Sequence, residues 1–276
     1  TPTLSSAASD VYKRQGIQIF EKEQMEKYCP KFNIILDAIE RSEGIVFLYS
    51  KNIETGVLPL ALMLEYHGFS RLHKVKREWK TVNMFQTTQK SKLKPKTKKS
   101  HRYIYLDYEN EKDMGEAIKH CRGEVSETNT NGEYIKVIIG TSRISTGVSF
   151  KNIRQIHILE PWHNLSQIEQ VIGRGSRRKS HAELPKEKRN VTIYYHTAQF
   201  TPSQMKIWRD KNKMKENTYI RTADEQRYAL ANRKHLEKLK IESILSDNAT
   251  DCYFNKAKNE LKNTISTFNK TCLLYT

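Results

Sequence analysis

The segment 170–177, Gln-Val-Ile-Gly-Arg-Gly-Ser-Arg, contains the side chains of this sequence that are best suited to bind a nucleotide triphosphate. An arginine keeps its positive charge, and its planar fork donates to two phosphate oxygens at once. The spacing of Gln170, Arg174 and Arg177 predicts a helix with all three on one face. The opposite face would carry the apolar residues Ile168, Val171 and Ile172. From the residues alone, the alternative is a solvated basic helix face.

Two glycines and a candidate cap also shape this predicted helix. Gly173 and Gly175 flank the first arginine, where the absence of a side chain lets a ligand or a second domain approach the backbone. Each glycine costs a helix about 1 kcal/mol relative to alanine, which favours a functional reason for the pair. Asn164 or Ser166 is predicted to cap the start, and Ser166 with Glu169 has capping-box spacing.

Composition indicates a polyanion partner. Across 276 residues, 48 Lys and Arg oppose 31 Asp and Glu, giving a net charge of +17 and a pI near 9.6. We therefore expect contact with nucleic acid or phosphates rather than with a membrane, since no apolar run approaches the roughly 18 residues of a spanning helix. No secretory signal is visible, and four scattered cysteines without metal-ligand spacing predict free thiols, no metal site and a cytoplasmic location.

Short apolar runs alternate with helical patterns along most of the chain. Strands are predicted at 45–49, 103–106, 135–139, 156–159 and 191–195, and helices at 21–39, 56–66, 111–121, 204–213 and 222–245. This alternation predicts an α/β fold with a parallel sheet covered by helices on both faces. Ligands of such sheets bind at the carboxyl ends of the strands, where Ser50 and Thr141 fall.

The chain divides into four predicted regions. Residues 16–200 form the α/β lobe, which contains a disordered, lysine-rich insertion at about 73–102. That insertion either binds nucleic acid or is a solvated loop. Residues 201–271 form a helical extension, interpreted as a brace on the lobe in preference to a nucleic-acid contact. The segments 1–15 and 272–276 resemble translated sequencing-adapter read-through; the alternative is ordinary flexible termini.

The arginine segment and its upstream neighbours resemble a known family. Gln-x-x-Gly-Arg-x-x-Arg at 170–177 is similar to motif VI of superfamily-two helicases and chromatin-remodeller-type ATPases. Residues 140–150 resemble motif V, 158–164 resemble the connector between the two, and the first strand–helix unit resembles motif IV. The resemblance is to the C-terminal, second RecA-like lobe, above all in large cytoplasmic DNA viruses, a group that includes poxvirus early-transcription-factor ATPases.

The resemblance implies ATP chemistry shared between two lobes. Arg174 and Arg177 would be arginine fingers, Gln170 would help to position the nucleotide, and Gly147 would lie close to it. ATP and Mg²⁺ would be held mainly by a first lobe, and the sequence contains no Gly-x-x-x-x-Gly-Lys-Ser/Thr phosphate loop. We therefore expect this chain to lack the first lobe and to be inactive alone.

The resemblance further implies a nucleic-acid partner contacted by Ser50 and Thr141; DNA is favoured as this partner, and the sequence leaves RNA open. The expected function is the second motor lobe of an ATP-dependent helicase or double-strand translocase linked to viral transcription. The first lobe and viral transcription machinery would be partners, in a viral factory or virion. The alternative is a non-catalytic, basic nucleic-acid-binding module, but that role would not require intact Gln170, Arg174 and Arg177.

Overall fold

A seven-stranded sheet organises the larger of the two units into which the chain divides. The computed structural model describes residues 19–83, 101–125, 128–145, 148–215 and 218–248. Within these, the strands are β1 Ile45–Tyr49, β2 Ser70–Val75, β3 Glu78–Val82, β4 Arg102–Leu106, β5 Val137–Gly140, β6 Ile153–Ile158 and β7 Thr192–Tyr195. Their order is β3-β2-β4-β5-β1-β6-β7. Every neighbouring pair is parallel except β2 and β3.

The five predicted strands are all present, and the predicted α/β class is confirmed. β1 lies between β5 and β6, so that Phe47 pairs with Ile138 on one side and Ile156 on the other. All three of these side chains are fully buried. A strand buried on both faces is expected to be continuously apolar, as the Ile-Val-Phe-Leu sequence of β1 is. The carboxyl ends of these central strands therefore meet at one edge of the sheet.

The helices of the sheet unit are α1 Lys22–Tyr28, α2 Pro30–Arg41, α3 Leu58–Tyr66, α4 Glu111–Cys121 and α5 Leu165–Gly175. The first four residues of α5, 165–168, belong to the second unit. The single helix predicted at 21–39 is wrong, because Cys29 leaves the helical conformation and Pro30 starts a new helix. A proline disfavours helical geometry in the residue before it, so Pro30 was a usable signal. The break leaves Tyr28, expected on the apolar face, 56% exposed.

Helix α3 is buried over most of its circumference. Leu60, Met63 and Leu64 are completely buried. The carboxylate of Glu65, near the end of the helix, is also buried and accepts a hydrogen bond from the Tyr103 hydroxyl at 2.7 Å. A helix that is apolar all round is expected in the core rather than at a surface. After the helix the chain reverses at Gly68, whose φ of 87° is the left-handed geometry that glycine adopts without strain.

Residues 73–82 differ from the sequence expectation. They were assigned to a disordered basic insertion, but they belong to an antiparallel hairpin of β2 and β3 at the edge of the sheet. Lys74 makes ion pairs with Asp113 and Glu116 at 2.7 Å each, and the Trp79 ring lies 4.5 Å from that of His120. All three partners lie on α4, so the local sequence of the hairpin could not predict these contacts. The lysine run 90–99 lies outside the described residues, as do the segments 1–15 and 272–276.

A buried histidine pair joins the last two parallel strands. His157 of β6 and His196, just after β7, approach each other at 2.9 Å between Nδ1 and Nε2, and both are almost fully buried. Burial lowers the pKa of His157 to about 3, with a contribution from His196. Burial and the charge of Lys31 lower the pKa of His196 to about 4. Both rings are therefore neutral near pH 7.

The second unit consists of residues 162–168 and the chain from 198 onward. It contains α6 Pro202–Lys211 and α7 Ala223–Asp247. Thr222 and Glu225 form the predicted capping box at the start of α7. The domain boundary expected at residue 200 stays a prediction. None of the described helices is long and apolar enough to cross a membrane.

Candidate functional site

Helix α5 carries the first of the two candidate arginines. It begins at Leu165, and the Asn164 side chain accepts a hydrogen bond from the Ser166 amide at 3.0 Å. Asn164 is therefore the cap, and the proposed cap at Ser166 is not used. Gln170 is exposed, as expected, while Val171 is buried. On the expected apolar face, Ile168 is buried as well, but Ile172 is only partly buried.

Arg177 does not belong to this helix. α5 ends at Gly175, and the Ser176 hydroxyl donates to the Ile172 carbonyl at 2.9 Å as the chain leaves the helical path. The i, i+7 spacing from Gln170 therefore does not define a shared helical face for Arg177. The two guanidinium groups nevertheless lie close together. Burial lowers the pKa of Arg174, and the positive charge of Arg177 lowers it further.

The segment 148–150 is the point on which both arginines converge. Arg174 Nη1 donates to the Val148 carbonyl at 3.2 Å, and Arg177 Nη1 donates to the Ser149 hydroxyl at 2.6 Å. In return, the Phe150 amide donates to the Arg174 carbonyl at 2.8 Å. The predicted motif V segment and the end of α5 are thus joined by backbone and side-chain contacts. Gly147, expected near the nucleotide, lies outside the described residues.

A third arginine, which the sequence interpretation missed, holds the same segment. Arg122 directs Nε and Nη2 to the Ser149 carbonyl at 2.8 and 2.6 Å. Ser149 is therefore held through its carbonyl by Arg122 and through its hydroxyl by Arg177. Arg122 follows α4 and lies 27 residues before Ser149, so neither periodicity nor a motif could have linked them.

Ser50 and Thr141 lie at the predicted carboxyl edge of the sheet. Ser50 directly follows β1 and Thr141 directly follows β5, strands that pair with each other. Both side chains are buried. The Thr141 hydroxyl accepts a hydrogen bond from the Arg143 amide at 3.3 Å. The structure brings the two residues to one edge, and their assignment to nucleic-acid contact stays a prediction.

Glu160 is a hydrogen-bond partner of Ser50. Its carboxylate lies 2.6 Å from the Ser50 hydroxyl and 3.2 Å from the Lys51 amide, which donates to it. Gly56 passes so close that a Cβ there would lie 2.0 Å from Ser50 Oγ and 2.7 Å from Glu160 Oε1. Burial raises the pKa of Tyr49, and the charge of Glu160 adds to the effect. The expected motif connector thus supplies a carboxylate to this edge.

Metal ligands were not expected in the sequence. Within the residues that the structure describes, no group of three or more His, Cys, Asp or Glu side chains is arranged to hold a metal ion. The guanidinium groups at segment 148–150 are hydrogen-bond donors only and bind anions rather than cations.

Comparison with known proteins identifies the domain to which this site belongs. Residues 61–179 match the family of the helicase conserved C-terminal domain. A protein of Acanthamoeba polyphaga mimivirus named as an ATP-dependent RNA helicase is 30% identical over 185 residues, 67% of this chain and 28% of that protein. A termination factor homolog of African swine fever virus is 27% identical over 202 residues, again 67% of this chain and 28% of that protein. The chain thus spans less than a third of these relatives' length.

The likeness to solved structures is weaker. The C-terminal part of the Fun30 ATPase domain aligns with a TM-score of 0.39 at 10% identity, over 75% of this chain and 54% of that chain. The family match and the viral relatives, rather than this alignment, identify a helicase C-terminal domain related to viral helicases.

Proposed function

We propose that this chain, which carries a helicase conserved C-terminal domain, is the second motor lobe of a nucleic-acid-dependent ATPase of viral type. The names of its relatives, a viral RNA helicase and a viral termination factor homolog, support a role in viral transcription. The complete protein would be a helicase or a double-strand translocase. Its partners would be a first motor lobe, nucleic acid and viral transcription machinery.

The observation that carries this proposal is the environment of Arg177. Its guanidinium is exposed, donates to the Ser149 hydroxyl, and makes no ion pair with a carboxylate in the described part of the chain. Arg122 is held differently, because two of its nitrogens donate to one backbone carbonyl. An arginine held by a neutral hydroxyl keeps donors and full charge for an anion that binds later.

The proposed chemistry follows from the two guanidinium groups. Arg177 would meet the negative charge that develops on the γ-phosphoryl oxygens in the transition state, and Arg174 would hold the end of α5 against segment 148–150 while adding charge. An arginine finger contributes about 10³–10⁵ in rate. Gln170 and Gly147 would complete the nucleotide-facing surface. ATP, with its Mg²⁺, would be held mainly by the first lobe and would supply the reacting phosphate.

Nucleic acid, with DNA preferred, is proposed to meet the edge that contains Ser50 and Thr141. Support comes from their adjacent positions after paired parallel strands. Both hydroxyls are buried, so a phosphate would have to displace their present neighbours before contacting them.

A comparison of two polypeptides tests the proposal. We expect the 276-residue chain to show no steady ATP turnover, and a longer polypeptide that also contains the first lobe to show nucleic-acid-stimulated turnover. In the longer polypeptide, Arg177→Ala should lower turnover by about 10³-fold or more while nucleic-acid affinity and melting temperature stay unchanged. A finger acts mainly on the transition state, so its loss appears in turnover rather than in binding.

The neighbouring Arg178→Ala is the matched control, because Arg178 is also exposed and its removal changes the charge equally. It should leave turnover nearly unchanged. If Arg177→Ala instead lowers turnover, affinity and melting temperature together, the arginine is structural. If it lowers only affinity, Arg177 serves nucleic-acid binding and the finger assignment is wrong. An absence of ATP turnover in the longer polypeptide would instead favour the alternative of a non-catalytic nucleic-acid-binding module.

A further inference from the structure

An open pocket in the second unit lies between the start of α5 and the middle of α7. Its volume is about 310 Å³, within the range of small-ligand sites. The lining residues are His163, Asn164, Ser166, Lys234, His235 and Lys238. All six belong to the second unit, so the pocket is complete within that unit.

The lining favours anions by its composition. Two of its six residues are lysines, two are histidines, and none is acidic. Lys234 and Lys238 are one turn apart on α7, which places both ammonium groups on one helix face, with about 5–6 Å between their Cβ atoms. Lysine is a point charge that suits a phosphate oxygen without a fixed approach direction.

The start of α5 adds a second source of positive potential to the same pocket. The 11-residue helix α5 begins at Leu165, so the lining residue Asn164 directly precedes it and the lining residue Ser166 lies in its first turn. The Ser166 amide donates to the Asn164 side chain. The helix dipole therefore contributes partial positive charge, independently of the lysines.

We propose that this pocket binds phosphate groups of a nucleic-acid backbone. Two lysines, two histidines and the start of a helix can attract the single negative charges that a nucleic-acid backbone carries on successive phosphates. The net charge of +17 favours binding of such a polyanion over binding of an isolated anion. The choice of nucleic acid as the polyanion rests on the proposed function. The pocket gives the second unit a direct role in binding, whereas the sequence favoured a brace.

Binding of a phosphate to Lys238 requires that this lysine release its present ion-pair partner, Glu242. Lys238 makes an ion pair with Glu242 at 3.1 Å, and both side chains are close to half exposed. Exposed ion pairs one turn apart on a helix are weak in water. A phosphate can therefore compete for Lys238 without a structural change in α7.

The test measures binding of a labelled DNA duplex to the 276-residue chain over a series of salt concentrations, without ATP. Lys234→Gln combined with Lys238→Gln should reduce the slope of log affinity against log salt by about 0.9 for each lost phosphate contact. The matched control, Arg233→Gln with Lys240→Gln, removes the same charge from the same helix outside the pocket lining. An equal reduction in both double variants would overturn the site, because it would reflect only the net charge.

A second arm identifies the source of the phosphate. Nuclear magnetic resonance of the His163 and His235 rings is recorded with the DNA duplex and, separately, with inorganic phosphate. We expect the duplex to shift both rings at micromolar concentration and inorganic phosphate to do so only at far higher concentration. Shifts with inorganic phosphate alone would overturn the backbone assignment in favour of a free phosphate site. Because neither arm uses ATP turnover, both remain informative if the role proposed for Arg177 fails.

Discussion

Replacing Gly173 with alanine should raise stability and lower catalysis in the same protein. A Cβ at Gly173 would meet nothing within 4 Å, so packing does not require glycine there. Alanine is favoured over glycine within a helix by about 0.5–1 kcal/mol. For a domain of this size, that gain corresponds to roughly 1–4 °C in melting temperature.

The catalytic cost depends on what occupies that open space in the working protein. Gly173 precedes Arg174 in the last turn of α5, so the added methyl group would lie in the turn that carries this arginine, which is proposed to add positive charge to the nucleotide-facing surface. If a ligand or the first lobe packs there, the methyl group displaces it by about 1 Å, which can lower turnover by about 10²-fold. Melting temperature is measured on the 276-residue chain, and ATP turnover on the longer polypeptide with the first lobe.

Gly115→Ala provides the matched control. Gly115 also lies inside a helix, α4, and a Cβ there would again meet nothing within 4 Å. It should stabilise by a similar amount without affecting turnover. If Gly173→Ala stabilises the chain and leaves turnover unchanged, the open space serves no approaching ligand or domain and our explanation for the glycine is wrong.

Three further predictions concern stability. Gly56→Ala should destabilise the chain by about 1–3 kcal/mol, because the new methyl group would collide with a buried hydrogen bond; urea unfolding measures the loss. Arg122→Ala should cost about 1.5–3 kcal/mol, seen as a lower melting temperature, because two charged donors to one carbonyl disappear. Stability should also fall as pH decreases from 6.5 to 4.5. His157 and His196 stay neutral when folded but gain protons when unfolded, at up to about 1.4 kcal/mol per pH unit for each ring.

Two of these predictions have a control variant, and the third has an outcome that would contradict it. Arg178→Ala, which removes an exposed arginine, should leave the melting temperature almost unchanged, and an equal loss in both variants would contradict the role of Arg122. The pH dependence should become shallower when His196 is replaced by glutamine, which does not titrate. An unchanged slope would mean that other groups dominate. For Gly56, wild-type stability in the alanine variant would show that Ser50 and Glu160 can separate at little cost.

The sequence predicted the central strands because their signal is local. β1 and β5 are continuous apolar runs bounded by turn residues, and such runs specify buried parallel strands regardless of their neighbours. The caps at Gly68 and Thr222 were also predictable, since each depends on a residue type at one fixed offset. The edge hairpin was not predictable, because it is fixed by contacts of Lys74 in β2 and Trp79 in β3 with a helix more than thirty residues further along the chain.

The candidate site was only partly predictable for the same reason. Ser50 and Thr141 directly follow two parallel strands, and the alternation of strands and helices was enough to predict that both lie at the carboxyl edge of the sheet. The end of α5 before Arg177 and the contact from Arg122 to Ser149 depend on tertiary geometry that no spacing encodes. A helical projection therefore placed Arg174 and Arg177 in one region, as the structure does, but gave Arg177 the wrong local structure.

In the nucleic-acid contact that we propose at the Ser50 edge, the carboxylate of Glu160 would make phosphate binding an exchange reaction. The Ser50 hydroxyl and the Lys51 amide are the donors that an incoming phosphate would need, and Glu160 already accepts from both. A phosphate there gains only the difference between its own interaction and that of the carboxylate it displaces. If the proposed phosphate contact is made at this edge, its binding and its release would each be accompanied by only a small change in free energy, because one acceptor replaces the other.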